Sequence, residues 1–275
     1  MRQLAFVGFC AVIALTAVSV VQRGRRGSTA THGAKVERLT VRSRFVGRDL
    51  HDVVVVPAGG GKRRPLLVFL HGRGRRADSN LTQQLFDGLK ALGARAPVVL
   101  LPDGGDHSYW HDRRGGRWGS SVLRESIPGA LYLSHADSRR VAIGGISMGG
   151  FGALDLARLA ARRFCAVGAH SAALWFSGGD TPTGAFDDAE DFSRHDLIAF
   201  ARRHALFHVP TWIDVGRDDP FARADTALAH ELQAHGVHVV FHLHGGGHSG
   251  WSHRTRTYLR WYAVQLARCA SSGLP

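Results

Sequence analysis

The chain has 275 residues, 44% of them hydrophobic and 21% charged, which allows a substantial core and excludes the disordered, collagenous and low-complexity classes. Its formal net charge is +13, yet only Lys35, Lys62 and Lys90 are lysines, and the arginines are spread over the whole length. Doublets such as Arg63-Arg64, Arg162-Arg163 and Arg202-Arg203 lie in different segments without interleaved aromatics. That pattern speaks against a specific nucleic-acid surface and leaves only general attraction to anionic surfaces or polymers.

Arg2 precedes an uncharged run, LAFVGFCAVIALTAVSVV (4–21), which QRGRRGSTATHGA follows. A basic start with an apolar core is the pattern of an export signal. The run reaches the lower limit for a membrane span, and Arg23, Arg25 and Arg26 behind it oppose simple translocation. Residues 1–35 are therefore expected to be an export signal or membrane anchor plus linker, making the protein secreted or anchored by its N-terminus. Cys10 follows Phe9 rather than a small residue, against a lipoprotein anchor. Cys165 and Cys269 are expected to be buried free thiols, with pairing as the alternative.

Val36–Phe45 and Leu50–Val56 predict an antiparallel hairpin. The continuous apolar runs PLLVFLHG (65–72), PVVLLPDGG (97–105) and RVAIGG (140–145) predict strands buried on both faces. FCAVGAHS (164–171), TWIDVG (211–216) and VHVVFHLH (237–244) supply three more strands. Helices are predicted at 78–93, 151–163, 221–235 and 251–268. The alternation predicts one α/β domain over 36–275, a mostly parallel sheet with helices on both faces. Residues 172–208 read as a cap-like insertion between strands. Ligands of such sheets gather at the carboxyl ends of the strands. The candidates there are His71-Gly72-Arg73, Asp103, Ser147, Ser171, Asp218, Asp219 and His248.

Gly145-Ile146-Ser147-Met148-Gly149 is a G-x-S-x-G pentapeptide, which a chain this rich in glycine produces by chance about once in four cases. Its setting carries the weight. Ser147 directly follows a buried strand and directly precedes a helix, the context of a nucleophile elbow. A serine nucleophile needs a base, and the base an orienting carboxylate, in the chain order Ser, Asp, His. GRDDPF (216–221) offers Asp218 and Asp219 past a strand end, of which Asp219 is preferred, and GGGHSGW (245–251) offers His248. Asp214 lies within a strand and is not expected to reach the site. His242 and His244 share one strand face and are read as packing residues, because no carboxylate or cysteine accompanies them at metal-ligand spacing. The oxyanion hole is expected from the backbone N–H groups of Met148 and Arg73. Trp110, Trp118, Trp175 and Phe176 are candidates to line the acyl or alcohol site.

With GGISMGGFGAL (144–154), GRDDPF, GHSGW and SYWHDRRGGRWGSSVLRESIP (108–128) in view, the chain resembles the putative-esterase family of α/β-hydrolases. That family includes esterase D, S-formylglutathione hydrolases, feruloyl esterase domains and mycolyltransferases. The resemblance implies an α/β-hydrolase fold, with Ser147 as nucleophile, His248 as base, Asp219 as orienting acid, and Arg73 and Met148 as oxyanion donors.

The expected function is hydrolysis of a small-molecule or envelope carboxylic ester through an acyl-enzyme, with no metal or organic cofactor. Specific nucleic-acid binding is not expected, and the apolar N-terminus is expected to give any membrane association. The alternatives are an acyltransferase of the mycolyltransferase type, a thioesterase, and, from another class, a non-catalytic envelope-binding module.

Overall fold

The computed structural model of the protein describes residues 29–59 and 63–271. The apolar run 4–21, read above as export signal or anchor, lies outside the described residues. Among the described residues no helix is long and apolar enough to cross a membrane.

Eight strands form one sheet: β1 (Lys35–Ser43), β2 (Arg48–Val56), β3 (Leu66–Leu70), β4 (Val98–Leu101), β5 (Val141–Ile146), β6 (Val167–His170), β7 (Thr211–Gly216) and β8 (Val239–His244). Their order across the sheet is β1-β2-β4-β3-β5-β6-β7-β8. The β1–β2 and β2–β4 pairs are antiparallel, and all others are parallel. The parallel strands are short apolar runs because both their faces are covered. Alternate side chains serve opposite faces. Leu66, Val68 and Leu70 pack with one core cluster, and Leu67 with the other.

Helices α1 (Gln83–Leu92) and α7 (Trp251–Ser271) cover the Leu67 face. Helices α2 (Ile127–Ser134), α3 (Met148–Leu159) and α6 (Ala222–Ala234) cover the other. A helical turn at Trp118–Ser121 and a π-turn at Val122–Ser126 lead into α2. Pro128 sits in the first turn of α2, directly after the π-turn.

Residues 172–208 run between β6 and β7 and carry α4 (Ala189–Arg194) and α5 (Leu197–Ala201). A buried polar network ties this segment to the body. His111 Nε2 lies 3.0 Å from Asp191, and His195 Nδ1 lies 2.8 Å from Asp155 on α3. Arg158 bonds Asp155 and Arg194 bonds Asp191, so a guanidinium group faces each of the two carboxylates. Burial, then the neighbouring His195, pushes the His111 pKa down, which keeps this imidazole neutral between its partners.

The expectation of free thiols is wrong. Cys165 and Cys269 form a disulfide, their Cα atoms 5.8 Å apart although 104 residues separate them in sequence. The cause is topological: α7 runs back along the sheet and delivers Cys269 to the segment entering β6. Closing so long a loop restricts the unfolded chain, and loss of a native bridge typically costs about 2–5 kcal/mol. A Cys165→Ser/Cys269→Ser double variant is therefore expected to unfold at a clearly lower denaturant midpoint than the oxidised protein. Coincident midpoints would show that the bridge adds nothing.

Candidate active site

The turn from β5 into α3 places Ser147 at φ 58°, ψ −119°, a conformation a residue with a side chain adopts only under constraint. The constraint is visible in its neighbours. Ser147 donates its backbone N–H to the His170 carbonyl, while its own carbonyl accepts from Phe151 and Ala173. A Cβ on Gly145 would run into the Gly149 backbone, and one on Gly149 into the Leu70 carbonyl. Only glycine permits so close a crossing of strand and helix. The outcome is a serine Oγ held out above the sheet, at the N-terminus of α3.

His248 comes from the loop between β8 and α7, and Asp219 from the loop after β7. His248 Nε2 lies 2.9 Å from Ser147 Oγ, and His248 Nδ1 lies 2.8 Å from Asp219 Oδ2. Asp218, the alternative, is exposed; Asp219 is buried, with Oδ1 accepting the Phe221 N–H at 2.9 Å. Burial works against the Asp219 charge, but hydrogen bonds from His248, the Phe221 amide and Ser171 outweigh it and hold the carboxyl below the usual carboxylate range. The His248 ring is clamped edge-on by Phe221 at 5.2 Å and Trp251 at 4.9 Å. Trp251 also donates its indole N–H to Ser171 Oγ at 3.1 Å. Ser171 is one of the candidates at the strand ends, whereas Phe221 and Trp251 carry no role in the sequence analysis, although the motifs GRDDPF and GHSGW contain the two rings. Their role depends on ring orientation, which spacing does not encode.

Met148 opens α3, so its N–H has no acceptor within the helix. The loop after β3 passes close by: a Cβ on Gly72 would stand 3.5 Å from the Ser147 Cβ, and Arg73 borders the same cavity as Ser147. His71 fixes this loop. Burial pushes its pKa down, so the neutral ring donates from Nδ1 to the Gly72 carbonyl and accepts the Gly104 N–H at Nε2. The Arg73 side chain faces the Tyr109 hydroxyl.

The four aromatic candidates do not line the cavity at Ser147. Trp110 is fully buried against Gly104 and Gly152, and its indole N–H donates to the His71 carbonyl at 3.2 Å, so it props the loop from beneath. Trp118 packs beside Gly105 and Gly116 under the Arg48 guanidinium. Trp175 joins a cluster with Tyr109, Phe186 and Phe221, one ring removed from His248. Phe176 is exposed beside Arg223. Asp214 is occupied elsewhere, bonded to His170, Trp212 and Tyr258, and His242 packs on Trp212.

The family described as "Putative esterase" matches residues 43–254, which include the elbow and the residues brought to it. The chain belongs to that family. Among solved structures, a ferulic acid esterase superposes with a TM-score of 0.73 at 21% identity, over 84% of this chain and 98% of that one. An S-formylglutathione hydrolase from Agrobacterium tumefaciens superposes with a TM-score of 0.72 at 19% identity, over 85% and 96%. Both likenesses give the α/β-hydrolase fold. An esterase of Mycobacterium tuberculosis (strain H37Rv) is 32% identical over 120 residues. That match takes in 40% of this chain and only 26% of that longer protein.

One acid near the site stands outside this constellation. Asp225 on α6 is completely buried, and neither carboxylate oxygen has a hydrogen-bond partner among the described residues. Burial pushes its pKa well above the usual range, and the charges of Asp219 and Asp214 add to this. The fold therefore favours the protonated carboxyl. Above the unfolded pKa of about 3.9 the native state holds a proton that the unfolded chain releases, so this group's contribution to stability falls as pH rises. Asp225→Asn, which mimics the neutral acid, is expected to stabilise the protein more at pH 8 than at pH 5. Melting temperatures of both proteins across that range provide the check, and a difference independent of pH would contradict it.

Proposed function

We propose that the protein is a serine esterase in which Ser147, His248 and Asp219 act as a triad. The observation that carries this reading is the unbroken chain of contacts from Asp219 Oδ2 through His248 to Ser147 Oγ at a strained elbow. Ser147 Oγ attacks the ester carbonyl carbon while its proton passes to His248 Nε2. The carbonyl electron pair becomes an oxyanion facing the N–H groups of Met148 and Arg73. Collapse of that intermediate breaks the ester C–O bond, and the departing alkoxide takes the proton from His248. Water then repeats the sequence on the acyl-Ser147 ester and releases the acid. Asp219 accepts the Nδ1–H throughout, fixing the tautomer that leaves Nε2 free to accept.

Export to an oxidising compartment is part of the proposal. The apolar N-terminus and the Cys165–Cys269 bridge both support it, since such bridges persist outside reducing cytoplasm. An envelope ester is the matching class of substrate.

The test is covalent. A fluorophosphonate probe is expected to label Ser147 and no other residue, with loss of p-nitrophenyl acetate hydrolysis in step. An unlabelled protein would favour the non-catalytic envelope-binding module instead.

A further inference from the structure

Ser147 and His248 border a cavity of about 470 Å³ that does not stay at the surface. It enters the domain between the sheet and the helices α1 and α7, on the Leu67 face. Its walls are Leu67 and Phe69 of β3, Val99 and Leu101 of β4, Leu85 of α1, and Leu259 of α7. Tyr258 and Tyr262 also border it, but their hydroxyls are engaged by Asp214 at 2.7 Å and His170 at 3.2 Å, so neither asks for solvent. Tyr262 is fully buried against Gly144 and Gly168, deep in the core. The face of α7 on this cavity changes along its length, from Trp251, Ser252 and Thr255 beside His248 to Tyr258, Leu259 and Tyr262 within the core.

The spans of its lining residues along β3 and α7 bound its depth. From Gly72 beside Ser147, two residues past the end of β3, back to Leu67 is at most about 16 Å at ~3.3 Å per extended residue. From Trp251 to Tyr262 is again about 16 Å at ~1.5 Å per helical residue. An extended chain advances ~1.2 Å per bond, since the three backbone bonds of a residue span at most ~3.6 Å, so this depth takes roughly a dozen bonds.

We propose that this channel receives a medium-chain fatty acyl group, of roughly eight to twelve carbons, as the acyl half of the ester. The inference rests on the esterase reading above and adds its substrate class. The acyl half is the one assigned to the channel because it stays bonded to Ser147 after the first step. The alcohol must leave and water must enter, which needs the open side. A channel ending in the core suits the group that remains.

The experiment is a series of p-nitrophenyl esters from acetate through butyrate and octanoate to laurate and palmitate, with octyl acetate as control. Each buried methylene is expected to raise kcat/KM by up to about fourfold until the channel is full. Activity should therefore climb through octanoate and fall at palmitate, while the octyl group on the alcohol side gains nothing. Leu259→Trp and Leu101→Phe narrow the channel at two levels and are each expected to cost octanoate turnover at least tenfold while sparing acetate. Retained acetate turnover in the same sample reports that the variant folds. If neither variant folds, the wild-type profile decides alone. A flat or falling profile from acetate onward overturns the proposal, as does equal loss of both substrates in a folded variant. Failure of acetate turnover together with failure of probe labelling would instead sink the esterase reading itself.

Discussion

Replacing Ser147 by alanine is expected to lower kcat for p-nitrophenyl acetate about a million-fold, the scale seen when a serine nucleophile is removed from an intact triad. Without Oγ no acyl-enzyme forms, and His248 has no proton to take. What survives is the far smaller acceleration from oxyanion donors and substrate binding. The fold should survive the change, because the constraints on the elbow are made by backbone: Ser147 N–H to His170, its carbonyl to Phe151 and Ala173, and the glycine crossings. Alanine keeps the same Cβ at the same positive φ, so the strain is neither added to nor released. An unchanged melting temperature with residual activity within tenfold of the parent would remove Ser147 from the mechanism.

The parts of the fold legible in the sequence are those set by continuous local patterns. β3, β4 and β5 are uninterrupted apolar runs, and an elbow between a buried strand and a helix leaves a glycine signature that steric contact makes obligatory. The order Ser147, Asp219, His248 was legible for the same reason, since each lies just past the carboxyl end of a strand. The cavity was not. Trp110, Trp118, Trp175 and Phe176 were the visible aromatic candidates, but Trp110 and Trp118 are occupied in packing a loop and a glycine pair, while much of the channel wall is ordinary apolar core residues such as Leu67, Phe69, Val99, Leu101 and Leu259. Nothing in their spacing distinguishes a wall from a filled core, because that depends on how far α1 and α7 stand from the sheet. The Cys165–Cys269 bridge was hidden similarly, in the path of a 21-residue helix.

Asp219→Asn is expected to lower kcat about ten-thousand-fold, and Asp218→Asn to leave it nearly unchanged. The two aspartates are sequence neighbours and chemically identical, so the contrast isolates geometry. Asp219 Oδ2 accepts the His248 Nδ1–H at 2.8 Å, while Asp218 is exposed and contributes to the site only its backbone N–H, donated to Gly246. With asparagine at 219, Oδ1 of the former carboxylate can remain the acceptor for Phe221, which turns the amide NH2 toward His248. The ring must then accept at Nδ1 and carry its proton on Nε2, the atom that should receive the Ser147 proton. Binding is untouched by this exchange, so KM should move little while kcat collapses. Because hydrogen bonds hold the Asp219 carboxyl below the usual carboxylate range, it stays ionised through mildly acidic pH. The deficit of Asp219→Asn relative to the parent should therefore persist at pH 5 as at pH 7. A deficit that vanishes at pH 5, or a matching collapse in Asp218→Asn, would mean that Asp219 does not orient the base.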